Sequence, residues 1–180
     1  MKEEKKRTVM LGLVFLFLLA LSYVENTSFF VYIRDSFANP PLAVPLVFVH
    51  NVLAISLIIL AMAFYVGIVM TFMPKRKMDY VVIDNPEIFA LVFTVVIILI
   101  SVLRASTLVH GEVDINTLAL VILLSLPNGL VEGYGIFQAI KKTLKKTLAI
   151  RDLAVIYAIF FIAAVVEVGF VQVLLWVSAK

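Results

Sequence analysis

Apolar residues run along this chain in long stretches separated by short polar knots, and the stretches fall near 8–24, 43–73, 87–103, 117–140 and 153–178. About 20 such residues in a helix cross the roughly 30 Å of bilayer hydrocarbon. Backbone N–H and C=O groups in lipid have to be bonded within the protein, so runs of this length predict helices, whereas barrel strands would alternate. The pattern predicts an all-α, polytopic integral membrane protein with about five transmembrane helices. The third run is short at 17 residues, although 88–103 carries no charge. The second is long enough to tilt or to project beyond the bilayer.

Composition agrees. Of 180 residues, 63% are hydrophobic and 15% charged, with a mean hydropathy of +1.12, against roughly 45–50% apolar in a soluble domain. Cysteine is absent, which excludes disulfides, thiol catalysis and Cys-ligated zinc. The polar segments 25–41 and 74–86 are too short to fold alone, so 1–180 reads as a single membrane domain.

The basic residues orient it. Lys2, Lys5, Lys6 and Arg7 precede the first run; Lys75, Arg76 and Lys77 follow the second; Lys141, Lys142, Lys145, Lys146 and Arg151 follow the fourth. These three segments hold twelve of the fifteen Lys and Arg, and the others, Arg34, Arg104 and Lys180, fall on the opposite side if five helices cross alternately. Positive charge resists translocation, so the N-terminus is expected in the cytoplasm and the C-terminus outside the cell membrane. A cleaved signal peptide over 1–22 is the competing reading of the first run. The run continues through Tyr23 and Val24 without a clear A-x-A site, which favours a retained helix.

Polar residues within the spans are costly and therefore informative. In the fourth run Thr117, Ser125, Asn128, Glu132 and Gly135 are spaced by 8, 3, 4 and 3, a stripe roughly 80° wide at 100° per residue. The stripe is expected to face protein or water: either a pathway or ligand surface centred on Asn128 and Glu132, or a packing face joined by interhelical hydrogen bonds. Pro127 lacks an N–H, so this helix should kink or break near its middle, beside Gly129. The Gly129-x-x-x-Gly133 spacing also permits close helix approach.

The fifth run carries Glu167 on one face with Phe160, Ala164 and Val171. No Lys or Arg lies near the midplane of any run, so Glu132 and Glu167 must be protonated, bind a cation, share a hydrated cavity or find partners at a helix end. His50, Asn51, Arg104 and Glu167 form one candidate outward-facing cluster; the alternative is that His50 and Arg104 snorkel to the interface.

Phe48-Val49-His50-Asn51 opening a long apolar helix, followed by Leu126-Pro127-Asn128-Gly129-x-x-Glu132, resembles the stage II sporulation protein M family, whose late helix carries a Leu-Pro-[His/Asn]-Gly-x-x-Glu block. The resemblance spans most of 43–178. It departs from many relatives in Gly133-Tyr134-Gly135 after the block and in Asn128 where His is frequent. It implies a multi-spanning fold, a scaffold or partner-binding role, and a part in it for Asn51, Pro127, Asn128, Gly129 and Glu132. No sporulation role follows from it.

In IKKTLKKTLAIRDL, Ile140, Leu144 and Leu148 recur every fourth residue between the lysines. Helix four is therefore expected to continue as an amphipathic helix on the inner leaflet, with Lys141, Lys142, Lys145 and Lys146 at anionic lipid headgroups or an acidic partner. The alternative is that these lysines mainly set topology. No HExxH, P-loop, Gly-x-Ser-x-Gly elbow or aspartyl pair occurs, so no enzyme and no cofactor is expected. His110-Gly111-Glu112-Val113-Asp114 is ordinary for an exposed loop, and no metal site is assigned to it. Two functions remain: a non-catalytic scaffold or partner-binding component, as a homo-oligomer or with another membrane protein; or a small oligomeric transporter or channel using Glu132 and Glu167 for a proton, cation or small solute. No nucleic-acid partner is expected.

Overall fold

A computed structural model describes residues 31–72, 77–110 and 115–178, and before these only 13, 17, 20, 21, 23, 24 and 26–29. Among the described residues all regular structure is helical. A 3₁₀ turn, Arg34–Ala38, precedes α1 (Pro40–Phe72), α2 (Lys77–Asp84), α3 (Pro86–His110), α4 (Ile115–Leu144) and α5 (Ile150–Ser178). Three segments, Pro40–Gly67 in α1, Pro86–Leu103 in α3 and Ile150–Val173 in α5, are long and apolar enough to cross a membrane. The run 8–24 lies largely outside the described residues.

Helix boundaries follow local chemistry. The Asn39 carbonyl accepts the first bonds of α1, from Leu42 and Ala43, with Pro40 at the first helical position, where its missing N–H costs nothing. Asn85 repeats the device before Pro86: its carbonyl accepts from Phe89 while its own amide groups bond back to Val81. The segment 74–86, expected to be a turn, thus holds the eight-residue helix α2. Segment 25–41, expected to be a loop, is also helical at its described positions 26–29, 31 and 32 and in the 3₁₀ turn.

The four long helices alternate in direction. Glu87 at the start of α3 meets Lys141 and Lys145 at the end of α4, and Lys142 meets Asp152 at the start of α5. At the far end, Gln172 of α5 donates to the Phe37 carbonyl just before α1. One apolar cluster, built on Phe37, Val47, Ala164 and Val168, fills the end away from the lysines. A second, built on Ile55, Ile136, Ile140 and Phe160, fills the basic end. Outward faces stay apolar, with Leu53, Leu57, Leu60 and Phe64 on α1 and Leu123, Leu126, Leu130 and Tyr134 on α4 exposed. Continuous apolar surface on this scale marks a lipid-facing or interaction surface.

Candidate functional site

Helix α4 runs without interruption through Pro127, so of the expected kink or break the helix shows no break. Pro127 is exposed, and the carbonyl left without a donor four residues back costs the helix one bond rather than its continuity. Around α4 the polar stripe turns inward: Asn128 is 6% exposed and Glu132 8%, Gly133 and Gly135 are buried and Ser125 is half-buried. The Thr117 side chain lies outside the described residues.

Glycine lets α4 press against neighbours on two sides. A Cβ at Gly133 would stand 2.7 Å from Ile98 Cδ1 and 3.2 Å from Thr94 Cγ2 of α3, and one at Gly129 would stand 3.4 Å from Ile98 Cγ2. On the α5 side, a Cβ at Gly135 would meet Phe160 Cε2 at 2.9 Å. The Gly129-x-x-x-Gly133 approach is therefore real. The equally tight α5 contact at Gly135 is marked in the sequence only by the place of Gly135 on the stripe; its partner Phe160 carries no signal, because the direction of the ring is set by packing.

Beside the second apolar cluster lies a cleft of about 60 Å³. Among the described residues its polar lining is Asn51 of α1, Ser101 of α3, Glu132 of α4 and Asn26 from the segment before α1; Ile55, Ile97, Ile136 and Phe160 supply apolar walls. Asn51 is 4% exposed, and its Nδ2 has no hydrogen-bond partner among the described residues. The same holds for Asn128 Oδ1 and Thr94 Oγ1. Asn51 and Glu132 thus share one cleft. Sequence reasoning misses Asn26 and Ser101: a serine in a membrane helix is cheap and uninformative, and Asn26 sits in a stretch that reads as a loop.

His50 does not snorkel. It is buried and stacks on Phe29, with ring centroids 4.0 Å apart. Glu167 is buried beside Ala164 and Val168 on the α5 face turned to α1. The side chains of Arg104 and His110 and all of residues 111–114 lie outside the described residues, so the cluster His50, Asn51, Arg104 and Glu167 and the 110–114 segment fall partly outside the description.

The amphipathic extension is corrected. Helix α4 ends at Leu144, and Ile140 and Leu144 are core residues with Leu148 packed against them. Periodicity finds an apolar face but not what covers it; here the covering is protein. Lysines of this segment are engaged internally: Lys141 and Lys145 reach Glu87 Oε1 at 3.0 and 2.7 Å, and Lys142 reaches Asp152 Oδ1 at 2.6 Å. Asp152 also accepts from the Ala149 N–H at 3.0 Å, half of a capping box at the start of α5.

The arrangement offers hydrogen-bonding oxygens and one carboxylate in a confined cleft. Among the described residues no group of three or more His, Cys, Asp and Glu could hold a metal ion. Comparison with known proteins returns no match, whether to a protein-family model, a curated protein or a solved structure.

Proposed function

We propose that this chain is a multi-pass membrane protein of five spans, with N-terminus in the cytoplasm and C-terminus outside, acting as a non-catalytic scaffold or partner-binding component of a membrane assembly. The reading is in keeping with the resemblance of its Phe48-Val49-His50-Asn51 and Leu126-Pro127-Asn128-Gly129 blocks to the stage II sporulation protein M family. The observation that carries it is α4: glycine contacts fasten it to α3 and α5, its polar stripe serves the bundle interior, and its outer stripe of Leu126, Leu130 and Tyr134 is left for lipid or a partner helix. Rigid close packing through small residues suits a fixed platform. Ion pairs from Glu87 and Asp152 tie the basic ends together, leaving the exposed Lys146 and Arg151 to anionic headgroups.

A photo-crosslinking side chain placed at Leu130 or Tyr134 in native membranes should give a discrete adduct with a second copy or another membrane protein, and the same group at Ile136 should give none. Adducts with lipid alone from both exposed positions would remove the scaffold reading. The second reading, a small oligomeric transporter or channel, is favoured by one observation, the presence of Glu132 in a cleft at mid-bundle.

A further inference from the structure

Helices α1 and α3 both pack against α4, yet among the described residues they scarcely meet one another. The cleft is the groove left between them: Ala54 and Ile58 line its α1 wall, Ile97 and Ile100 its α3 wall, and Ile136 and Phe160 its floor. All four wall residues are half-buried. The chain ahead of α1 already enters this groove. Asn26 lines it beside Asn51, and Phe29 stacks on His50, so chain numbers rise along this segment as they fall along α1 and the two run antiparallel.

We propose that the α1–α3 groove is an intramolecular docking site whose occupant is the first apolar run of this chain, 8–24. The proposal rests on the five-span reading, since the run has to be a retained span. Its described positions supply the first argument. Leu13, Phe17, Leu21 and Val24 are helical and more than half exposed, and their spacing of 4, 4 and 3 makes one outward stripe. At 100° per residue the opposite stripe is Phe15, Leu19, Ser22 and Asn26, spaced 4, 3 and 4. Asn26, the member of that stripe whose side chain is described, lies in the groove. The second argument is chemical. A groove left to lipid would turn acyl chains toward Asn51 and Glu132, which is costly, whereas the run brings Asn26 and, one turn away, Ser22 to that side. The third is the tether: a segment joined to the groove by its own chain reaches it at a high effective concentration, ahead of a second copy. With Asn26 level with Asn51 in an antiparallel pair, Leu19, seven residues before, falls level with Ile58, seven after. The α3 wall runs parallel to the segment, so Ser22 falls level with Ile97.

The test is cysteine cross-linking of the full-length protein in native membranes, for which the absence of native cysteine gives a clean background. Leu19→Cys paired with Ile58→Cys should be joined within one chain by a short thiol-to-thiol reagent, read by mass spectrometry as a linked peptide pair from the monomer. Ser22→Cys paired with Ile97→Cys should behave alike, and if one pair does not fold, the other decides. Phe17→Cys paired with Ile58→Cys, whose first member stands on the outward stripe, should stay unlinked. A link in the Phe17 pair as strong as in the others, or no link in any pair, overturns the docking. A link that joins two chains also overturns it, by giving the groove to a second copy. Ile58→Cys alone should resist a lipid-soluble maleimide, and ready labelling would overturn the docking by giving the groove to lipid. The intact mass of the purified protein separates this inference from the reading it rests on: a retained run without a link overturns the docking alone, whereas loss of residues 1–22 overturns the docking and the count of five spans together.

Discussion

Gly133 of α4 faces Ile98 of α3 so closely that a Cβ at position 133 would stand 2.7 Å from Ile98 Cδ1. A single methyl can be met by turning the end of the isoleucine, but a larger side chain has to push the helices apart. Gly133→Leu should destabilise by about 1–3 kcal/mol, the usual cost of overpacking, read as a lower Tm in micelles. Gly169, where a Cβ would find nothing within 4 Å, is the control: Gly169→Ala should leave stability unchanged or raise it by up to about 1 kcal/mol.

Ser56 and Tyr157 join α1 to α5 through hydroxyls 2.9 Å apart. Ser56 already donates its proton to the Val52 carbonyl at 2.6 Å, so Tyr157 is the donor of the interhelical bond. Removing the donor costs the bond, and removing the acceptor also strands a half-buried hydroxyl. Tyr157→Phe should therefore cost about 0.5–1.5 kcal/mol and Ser56→Ala somewhat more, with a coupling in the double-mutant cycle. Strictly additive effects would refute the bond.

Lys146 has φ 56°, and around it Thr147 donates to the Lys142 carbonyl and Lys146 to that of Thr143. This is the Schellman pattern closing α4, with a lysine where glycine is favoured. Lys146→Gly should raise stability by about 0.5–1 kcal/mol, since the left-handed conformation strains a side chain but not glycine. A lower Tm would mean that the Lys146 side chain makes a contribution larger than that strain.

Asp152 and Glu87 both pair with lysines at the basic end, but only Asp152 also caps a helix. Asp152→Asn should lower Tm more than Glu87→Gln, and added salt should erase most of the Glu87 effect because exposed pairs are screened. An equal and fully salt-sensitive loss in both variants would show that the cap contributes nothing.

The sequence carries the membrane class and the inward stripe of α4 because lipid makes an Asn or Glu expensive and helical periodicity gives it a direction. What lies opposite that face is not written in it. Ile140, Leu144 and Leu148 look the same whether lipid or Phe160 covers them, so periodicity assigns to the leaflet a face that belongs to the core. His50 at the head of a run looks like an interfacial residue, yet Phe29, from a segment that reads as a loop, covers its ring. Asn51 and Glu132 stand out individually. That Ser101 and Asn26 join them in one cleft depends on how α1, α3 and α4 pack, information that no single helix contains.

Ion flux into proteoliposomes tests the scaffold account most directly. Purified wild type and the Glu132→Gln and Glu167→Gln variants are reconstituted, and uptake is followed under proton, sodium and potassium gradients. The account predicts that wild-type vesicles match protein-free vesicles under every gradient. Flux in the wild type that disappears in a correctly folded Glu132→Gln or Glu167→Gln variant would contradict it.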